Sequence, residues 1–211
     1  MKFIYPILIL TFLVTASQAQ ILRGYGFKIG ATLASEDWDY TRLSTDFTPD
    51  CRWGFNLGVF GAFLNIPYFS LITELNYVQK GMTKELPVTT ITHPDGTGEY
   101  VTWDSRIDYL NLSALGKLRS SFGSFTPYIL IGPKIDFELG VDNSLGTTNE
   151  VEDEFKNIMY GVKMGGGIEI ELPNFSLLAE VLYDYNFNSL FKNENLTVTE
   201  SSVDFRLGIM F

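Results

Sequence analysis

The 211-residue chain has little of what usually equips an enzyme or a disulfide-bonded domain. Its only cysteine is Cys51 and its only histidine is His93. One cysteine cannot form an internal disulfide, so no disulfide framework holds the chain together. Basic residues are also scarce, because 15 Lys and Arg stand against 25 Asp and Glu and leave a net charge of −10. Proteins that bind nucleic acid carry basic surfaces, so this acidity argues against a nucleic-acid partner.

Long apolar runs are missing beyond the amino-terminal region. The apolar stretch 3–14 follows Lys2 and ends shortly before Ala19, which is the pattern of a secretory signal peptide cleaved after Ala19. As a helix it would span only about 18 Å, whereas a membrane anchor must cross about 30 Å of hydrocarbon. We therefore predict a signal peptide at 1–19 and one domain at 20–211, with a net charge of −11 once Lys2 is removed.

Aromatic residues, glycines and alternating apolar positions are what the chain does contain. Aromatic residues make up 15% of it and glycines number 19, which favours strands and turns over helices. Apolar residues recur at every second position, which is the period of a β-strand. The alternation predicts eight strands, each long enough to cross a membrane at a tilt: near 24–34, 53–64, 69–81, 104–118, 128–139, 158–170, 175–187 and 203–211.

The connections between these segments alternate in length. Three are short, at 65–68, 119–124 and 173–174, and four are long, at 35–52, 82–103, 140–157 and 188–200. Short periplasmic turns and long external loops are typical of outer-membrane barrels.

Alternation alone does not say which face of a barrel points inward, since a soluble barrel such as a lipocalin buries its apolar face. The charge pattern favours the membrane alternative. Ionised groups facing an apolar cavity would be very costly, whereas in a polar lumen they can pair with one another. Twelve charged residues share the face opposite the apolar one: Lys28, Glu74, Lys80, Lys117, Lys134, Asp136, Lys163, Glu169, Glu180, Asp184, Asp204 and Arg206. We therefore predict an all-β, eight-stranded, antiparallel, up-and-down transmembrane β-barrel.

Aromatic residues cluster near the predicted strand ends, where they would form girdles at the two membrane interfaces. They are Tyr25, Trp53, Tyr68, Phe69, Trp103, Phe125, Tyr185, Phe187 and Phe211.

Several short motifs together resemble the PorT-like outer-membrane β-barrel domain of Bacteroidota. They read GFKIG at 26–30, GFNLG at 54–58, ELNYVQKG at 74–81, YLNL at 109–112 and PYILIGP at 127–133, followed by 160–167 and a last segment ending in Phe211. One departure is Ser113, where the family usually has proline. The resemblance implies the fold, an outer-membrane location and a role for Phe211 as a signal to the barrel-assembly machinery. It implies little about activity.

The lumen charges are predicted to form a structural network that fills the barrel, because the interior of an eight-stranded barrel is just wide enough for side chains. We expect the network to centre on six residues: Glu74, Lys117, Lys134, Lys163, Glu180 and Arg206.

The sequence contains few candidate catalytic residues. An outer-membrane hydrolase needs a nucleophile or a water molecule activated by a base, most often a histidine. His93 lies in the segment 93–96, which is typical of a turn at a loop tip, and nothing fixes its geometry relative to Asp104 and Ser105. We expect no catalytic residues and no cofactor.

Two of the long loops are predicted to be acidic, and calcium or magnesium could bridge their carboxylates to each other or to lipid phosphates. No spacing matches a calcium loop such as Asp-x-Asp-x-Asp-Gly, so solvated charge is the preferred interpretation and no metal ligand is assigned. The acidic residues are Glu36, Asp37, Asp39, Asp46 and Asp50 in the first loop and Asp142, Glu150, Glu152, Asp153 and Glu154 in the third.

The leading functional hypothesis is a small, closed, non-enzymatic barrel in the outer membrane. It would act structurally, or as a binding or assembly partner through acidic extracellular loops. Its expected partners are outer-membrane lipids, the assembly machinery during biogenesis and a protein at the loops. Two alternatives stay open at this point: a narrow transport pore and a lipid-modifying hydrolase.

Overall fold

The computed structural model of the protein describes residues 22–40, 47–91, 94, 96–144, 156–191 and 196–211. The predicted signal peptide at 1–19 lies outside the described residues. No helix among those residues is long and apolar enough to cross a membrane.

Eight antiparallel strands close into one barrel in chain order, and the last strand pairs with the first. This confirms the predicted fold. The strands are β1 (Leu22–Tyr40), β2 (Asp50–Ile66), β3 (Phe69–Pro87), β4 (Tyr100–Arg119), β5 (Phe125–Asn143), β6 (Ile158–Glu171), β7 (Ser176–Asn186) and β8 (Leu196–Met210). Because the ring is closed, no strand edge is left to face lipid with unpaired backbone groups.

The register of β1 against β8 shows how alternation sorts side chains between lipid and lumen. Ile29 lies opposite Leu207, and both point outward with 49% and 65% of their surface exposed. The next residue along β8, Arg206, points inward and is 3% exposed. Outward apolar side chains run from Tyr25 to Leu33 on β1 and from Val203 to Ile209 on β8, and with their counterparts on the other strands they form the membrane belt.

The four long connections are shorter than predicted, because the strands continue beyond the membrane belt. The predicted loops 35–52, 82–103, 140–157 and 188–200 shrink to the segments between the strands, and this end of the barrel is called the long-loop end. The outward positions of β1 turn polar there, as at Ser35 and Asp37, while Ala34 and Trp38 point inward. Outside the membrane the outward face meets water, so the sense of the alternation is reversed.

The prediction of two acidic loops is wrong for the residues that the structure describes. Glu36, Asp37 and Asp39 lie on β1, Asp50 begins β2, and Asp142 lies on β5. Glu36 also points into the barrel and is 5% exposed. The remaining acidic residues assigned to these loops lie outside the described residues: Asp46, Glu150, Glu152, Asp153 and Glu154.

Candidate functional site

The lumen near the short turns is filled by apolar side chains. Inward positions of β2 to β5 and of β7 supply a buried cluster that includes Phe60, Ile72, Leu115, Leu130 and Leu182. Charged side chains adjoin this cluster, since Phe60 lies opposite Glu74 and Leu182 lies opposite Asp204.

Four residues from β1, β3, β7 and β8 form the innermost group of charges. Lys28 Nζ donates to Glu74 Oε1 at 2.6 Å and to Glu180 Oε1 at 2.8 Å. Arg206 reaches the same two carboxylates, with Nη1 at 2.8 Å from Glu74 Oε2 and Nη2 at 2.6 Å from Glu180 Oε2. Two cations and two acids thus neutralise one another across the full width of the barrel.

A second group lies closer to the long-loop end. Lys80 Nζ lies 3.1 Å from Asp136 Oδ2 and 3.2 Å from Asp184 Oδ1. Lys134 Nζ lies 2.6 Å from Asp136 Oδ2 and also pairs with Asp184. Each carboxylate therefore contacts at least two ammonium groups, which compensates for burying charge in the barrel.

Lys163 connects this group to β8. Its Nζ atom lies 3.4 Å from Asp204 Oδ2 and 3.5 Å from Asp184 Oδ2, and it also donates to the side-chain oxygen of Asn111 at 3.3 Å.

Lys117 belongs to a separate pair nearer the short turns. Its Nζ atom lies 2.7 Å from Glu169 Oε2 and 3.8 Å from the centre of the Tyr128 ring. Tyr128 in turn donates its hydroxyl to Glu180 at 2.9 Å. Gly167 makes room for this ring, because a Cβ there would lie 2.8 Å from the Tyr128 hydroxyl.

All six residues expected at the centre of the network are buried in the lumen, but the structure distributes them over three contacting groups rather than one. The twelve charged residues expected on the inner face comprise six cations and six acids, each at most 5% exposed. Every one of them lies within 4 Å of an opposite charge.

Two further buried carboxylates were missed from the sequence because they were assigned to loops. Glu36 on β1 lies opposite Glu200 on β8, and the two are 5% and 0% exposed. Glu200 accepts a hydrogen bond from Asn186 at 3.0 Å and lies 3.5 Å from Lys80 Nζ. The signal was present, because Glu200 is in phase with Arg206 on the inward face of the same strand.

An aromatic cluster closes the long-loop end. Trp38 is its centre, with ring centroids 5.1 Å from Phe47, 6.4 Å from Trp103 and 5.5 Å from Phe191. Trp103 was expected in a membrane girdle, and that prediction is wrong. Its indole lies inside the mouth of the barrel and donates to Asn143 Oδ1 at 2.7 Å, because residue 103 is in phase with the inward residues Ser105 and Ile107 of β4. We call Trp38, Phe47, Trp103 and Phe191 the outer aromatic cluster.

The residues considered for catalysis do not form a site in the part of the chain that the structure describes. His93 lies outside it. Asp104 pairs with Arg52 Nε at 2.6 Å, and Ser105 is buried at an inward position. No group of three or more His, Cys, Asp or Glu side chains among the described residues could hold a metal ion.

The comparisons with known proteins identify the family. The family model described as outer membrane protein beta-barrel domain matches residues 17–192. The chain belongs to this family. Membership places the protein in the outer membrane, where the short turns of such barrels face the periplasm and the long-loop end faces outward. No curated protein matches the chain.

Several solved structures are similar to the chain at low sequence identity. Ail of Yersinia pestis is 18% identical, with 89% of this chain and 98% of Ail covered and a TM-score of 0.41. Neisserial surface protein A is 14% identical, with 87% and 95% covered and a TM-score of 0.42. The amino-terminal barrel of Pseudomonas aeruginosa OprF is 9% identical, with 87% and 97% covered and a TM-score of 0.39.

Proposed function

We propose that the protein is a closed, non-enzymatic outer-membrane barrel of the PorT-like group that serves as a structural element and as a binding platform. In this proposal the charged lumen is a structural plug, and recognition occurs at the long-loop end. The observation that carries the proposal is the pairing of twelve buried charges within a lumen of only eight strands.

The stacking of layers along the barrel axis supports closure. An apolar cluster lies near the short turns, ion pairs fill the middle, and a second buried apolar cluster that includes Ile107, Tyr109 and Val198 lies near the long-loop end. A water-filled channel needs a continuous path, and a barrel of this size has an interior that side chains fill.

The exposed acidic residues support a binding role at the long-loop end. Asp37, Asp39, Asp50 and Asp142 are exposed on strands that project beyond the membrane belt. A surface of this charge suits a cationic protein partner, or lipid phosphates bridged by divalent cations. During biogenesis the expected partner is the assembly machinery, with Phe211 as part of the signal that it reads.

Planar-bilayer recording of the purified protein tests the plug. We expect no stable conductance steps at any protein concentration at which the protein inserts into the bilayer. Insertion is verified by the shift in gel mobility between the folded and the heated protein. A double variant, Glu74→Ala with Arg206→Ala, preserves the charge balance and shortens two side chains at the centre of the lumen. Steps that appear only in this variant would support the plug, whereas stable ohmic steps with the unmodified protein would favour the transport pore.

A further inference from the structure

Two buried carboxylates at the long-loop end exceed the cations available in the described lumen. The other twelve buried charges are balanced, so Glu36 and Glu200 leave two acids in excess. Glu200 shares Lys80 with Asp136 and Asp184, and its Oε1 atom is buried without a hydrogen-bond partner. Glu36 forms no ion pair with any other described residue. A buried carboxylate without a counter-charge is costly, so this end of the lumen favours an added cation.

The outer aromatic cluster lies directly beside Glu36. The Trp38 indole N–H donates to Glu36 Oε2 at 2.9 Å, so the carboxylate is held against the rings. Phe47 and Trp103 are 6.0 Å apart between centroids, and both also contact Trp38. The faces of aromatic rings carry negative electrostatic potential and attract cations, most strongly when the ring belongs to tryptophan.

A cavity of about 180 Å³ lies between these groups and is bordered by Glu36, Trp38, Trp103, Ser105 and Phe191. Trp38 and Trp103 are half-buried, so the border of the cavity reaches the protein surface. We propose that this cavity binds a small organic cation, an alkylammonium group of about the size of choline. The rings would surround its methyl groups while the carboxylate balances its charge. Pockets for drug-sized ligands measure about 300–1,000 Å³, so the occupant is smaller than those.

The charges around Glu36 make binding depend on pH. Glu200 faces it from β8, Lys80 on β3 lies 3.5 Å from Glu200, and the Tyr109 hydroxyl approaches from β4. These residues lie toward the long-loop end of the lumen, and Glu36 is outside the membrane belt. Burial, together with the Glu200 carboxylate, raises the pKa of Glu36 to about 8. A bound cation favours the ionised carboxylate, so affinity should increase as the pH rises to about 8 and level off above it.

This inference rests on the proposed binding role of the long-loop end, but its test is independent of the plug, because conductance and ligand affinity are measured separately. The probe is choline, whose charge does not change with pH. Choline is titrated at pH 9 into the protein in maltoside detergent, and binding is followed by tryptophan fluorescence and by calorimetry. Two of the three tryptophans, Trp38 and Trp103, border the cavity, whereas Trp53 faces outward and is 61% exposed.

Three variants locate the site. Glu36→Gln removes the charge and retains an acceptor for the indole, and we expect it to weaken choline binding about tenfold or more. Trp38→Leu should have a similar effect. Trp53→Leu is the matched control, because it makes the same change on the outer face and should leave the affinity unchanged.

Two further ligands define the chemistry. The neutral analogue 3,3-dimethylbutan-1-ol has the shape of choline without its charge and should bind at least about tenfold more weakly. Phosphocholine should also bind more weakly, because its phosphate brings negative charge toward Glu36 and Glu200. Equal binding of the neutral analogue, equal losses in Trp38→Leu and Trp53→Leu, or no saturable choline binding would overturn the proposal. Tighter binding of phosphocholine than of choline would overturn it in favour of a lipid headgroup.

Discussion

Arg206 and Glu74 meet across the lumen through two hydrogen bonds, at 2.8 Å from Nη1 and 3.1 Å from Nη2, although 132 positions separate them in the chain. The planar guanidinium matches the two carboxylate oxygens in a fork-to-fork contact, which is among the stronger charged pairings in proteins. Arg206 also contacts Glu180, so one side chain neutralises carboxylates from two other strands.

Replacing Arg206 should destabilise the barrel strongly. Arg206→Met retains the length and apolar stem of the side chain but leaves Glu74 and Glu180 with Lys28 as their shared cation. Removing one partner of a buried ion pair costs about 3–5 kcal/mol. The measurement is the free energy of unfolding in guanidinium, with the protein in detergent micelles.

Arg52→Met is the matched control for that measurement. Arg52 pairs with Asp104 near the rim of the barrel, where their side chains are 13% and 46% exposed, so water reaches this pair more readily than the 2% and 0% exposed side chains of Arg206 and Glu74. Exposed ion pairs contribute at most about 1 kcal/mol, so this variant should unfold at nearly the same denaturant concentration as the unmodified protein. Equal destabilisation by the two substitutions would show that the central network has no special structural role.

The position of the membrane belt predicts where a charge is tolerated on the outer face of β8. Leu207 lies opposite Ile29 near the middle of the belt. Arginine near the midplane of a barrel costs about 2–4 kcal/mol, so Leu207→Arg should lower the free energy of unfolding in lipid vesicles by that amount. Ser201→Arg lies on the same face of the same strand but above the belt, and its effect should be within about 1 kcal/mol of zero. A larger effect at Ser201 than at Leu207 would show that the membrane belt on β8 does not lie where it is placed here.

The part of the barrel inside the membrane could be predicted from the sequence, because the apolar residues at every second position must face lipid there. At 203–209 every second residue is apolar and the residues between include Asp204 and Arg206. Only one arrangement places the first set in lipid and the second in the lumen. The pairing of Arg206 with Glu74 could not be predicted in the same way, because it depends on which inward side chains meet across a lumen, and this follows from the tilt and register of all eight strands.

For the long-loop end of the barrel, outside the membrane, the prediction of loops is wrong for a related physical reason. Water lies outside the barrel there, so Ser35 and Asp37 point outward while Trp38 points inward, and the alternation of the membrane segment is reversed. In the sequence, a strand segment whose outward positions are polar and acidic resembles a loop. Following the inward phase of β1 from Lys28 past Thr32 would have placed Glu36 in the lumen, and with it the carboxylate of the proposed cation site.

The stability of the barrel should depend on the ionisation of Glu36. Burial raises the pKa of this carboxyl to about 8, so the folded protein binds its proton more tightly than the unfolded chain, where the usual value is 4.5. The contribution of the protonated carboxyl is complete below about pH 4.5 and is lost as the pH rises toward 8. In Glu36→Gln this loss is absent. The variant should therefore gain stability relative to the unmodified protein across this range, by up to about 1.4 kcal/mol per pH unit.

Guanidinium unfolding of both proteins at pH 5, 6, 7 and 8 provides the measurement. Taking the difference between the two proteins cancels the titration of the other lumen carboxylates. Glu85→Gln serves as a control, because Glu85 is exposed on β3 at the same end of the barrel. A difference between Glu36→Gln and the unmodified protein that does not change with pH would mean that Glu36 is ionised throughout.

The last prediction separates two roles of Phe211, as a membrane anchor and as a recognition element for assembly. Its backbone N–H donates to the Tyr25 carbonyl at 2.8 Å and its carbonyl accepts from the Tyr25 N–H at 3.2 Å, so pairing with β1 does not depend on the side chain. The ring lies 6.1 Å from that of Tyr25 and 6.3 Å from that of Phe27 and is 53% exposed. Phe211→Ala thus removes an exposed ring and leaves the closure of the barrel intact.

Phe205→Ala is the matched control, because Phe205 faces outward on the same strand and is 44% exposed within the membrane belt. Loss of an aromatic ring from the belt should lower the refolding yield in detergent and the amount found in the outer membrane of cells to a similar extent. If the assembly machinery reads Phe211, Phe211→Ala should lower the cellular amount much more than the refolding yield. Equal losses for Phe211→Ala in the two assays would assign its ring to packing alone, because a packing defect acts on the folded barrel wherever it is made.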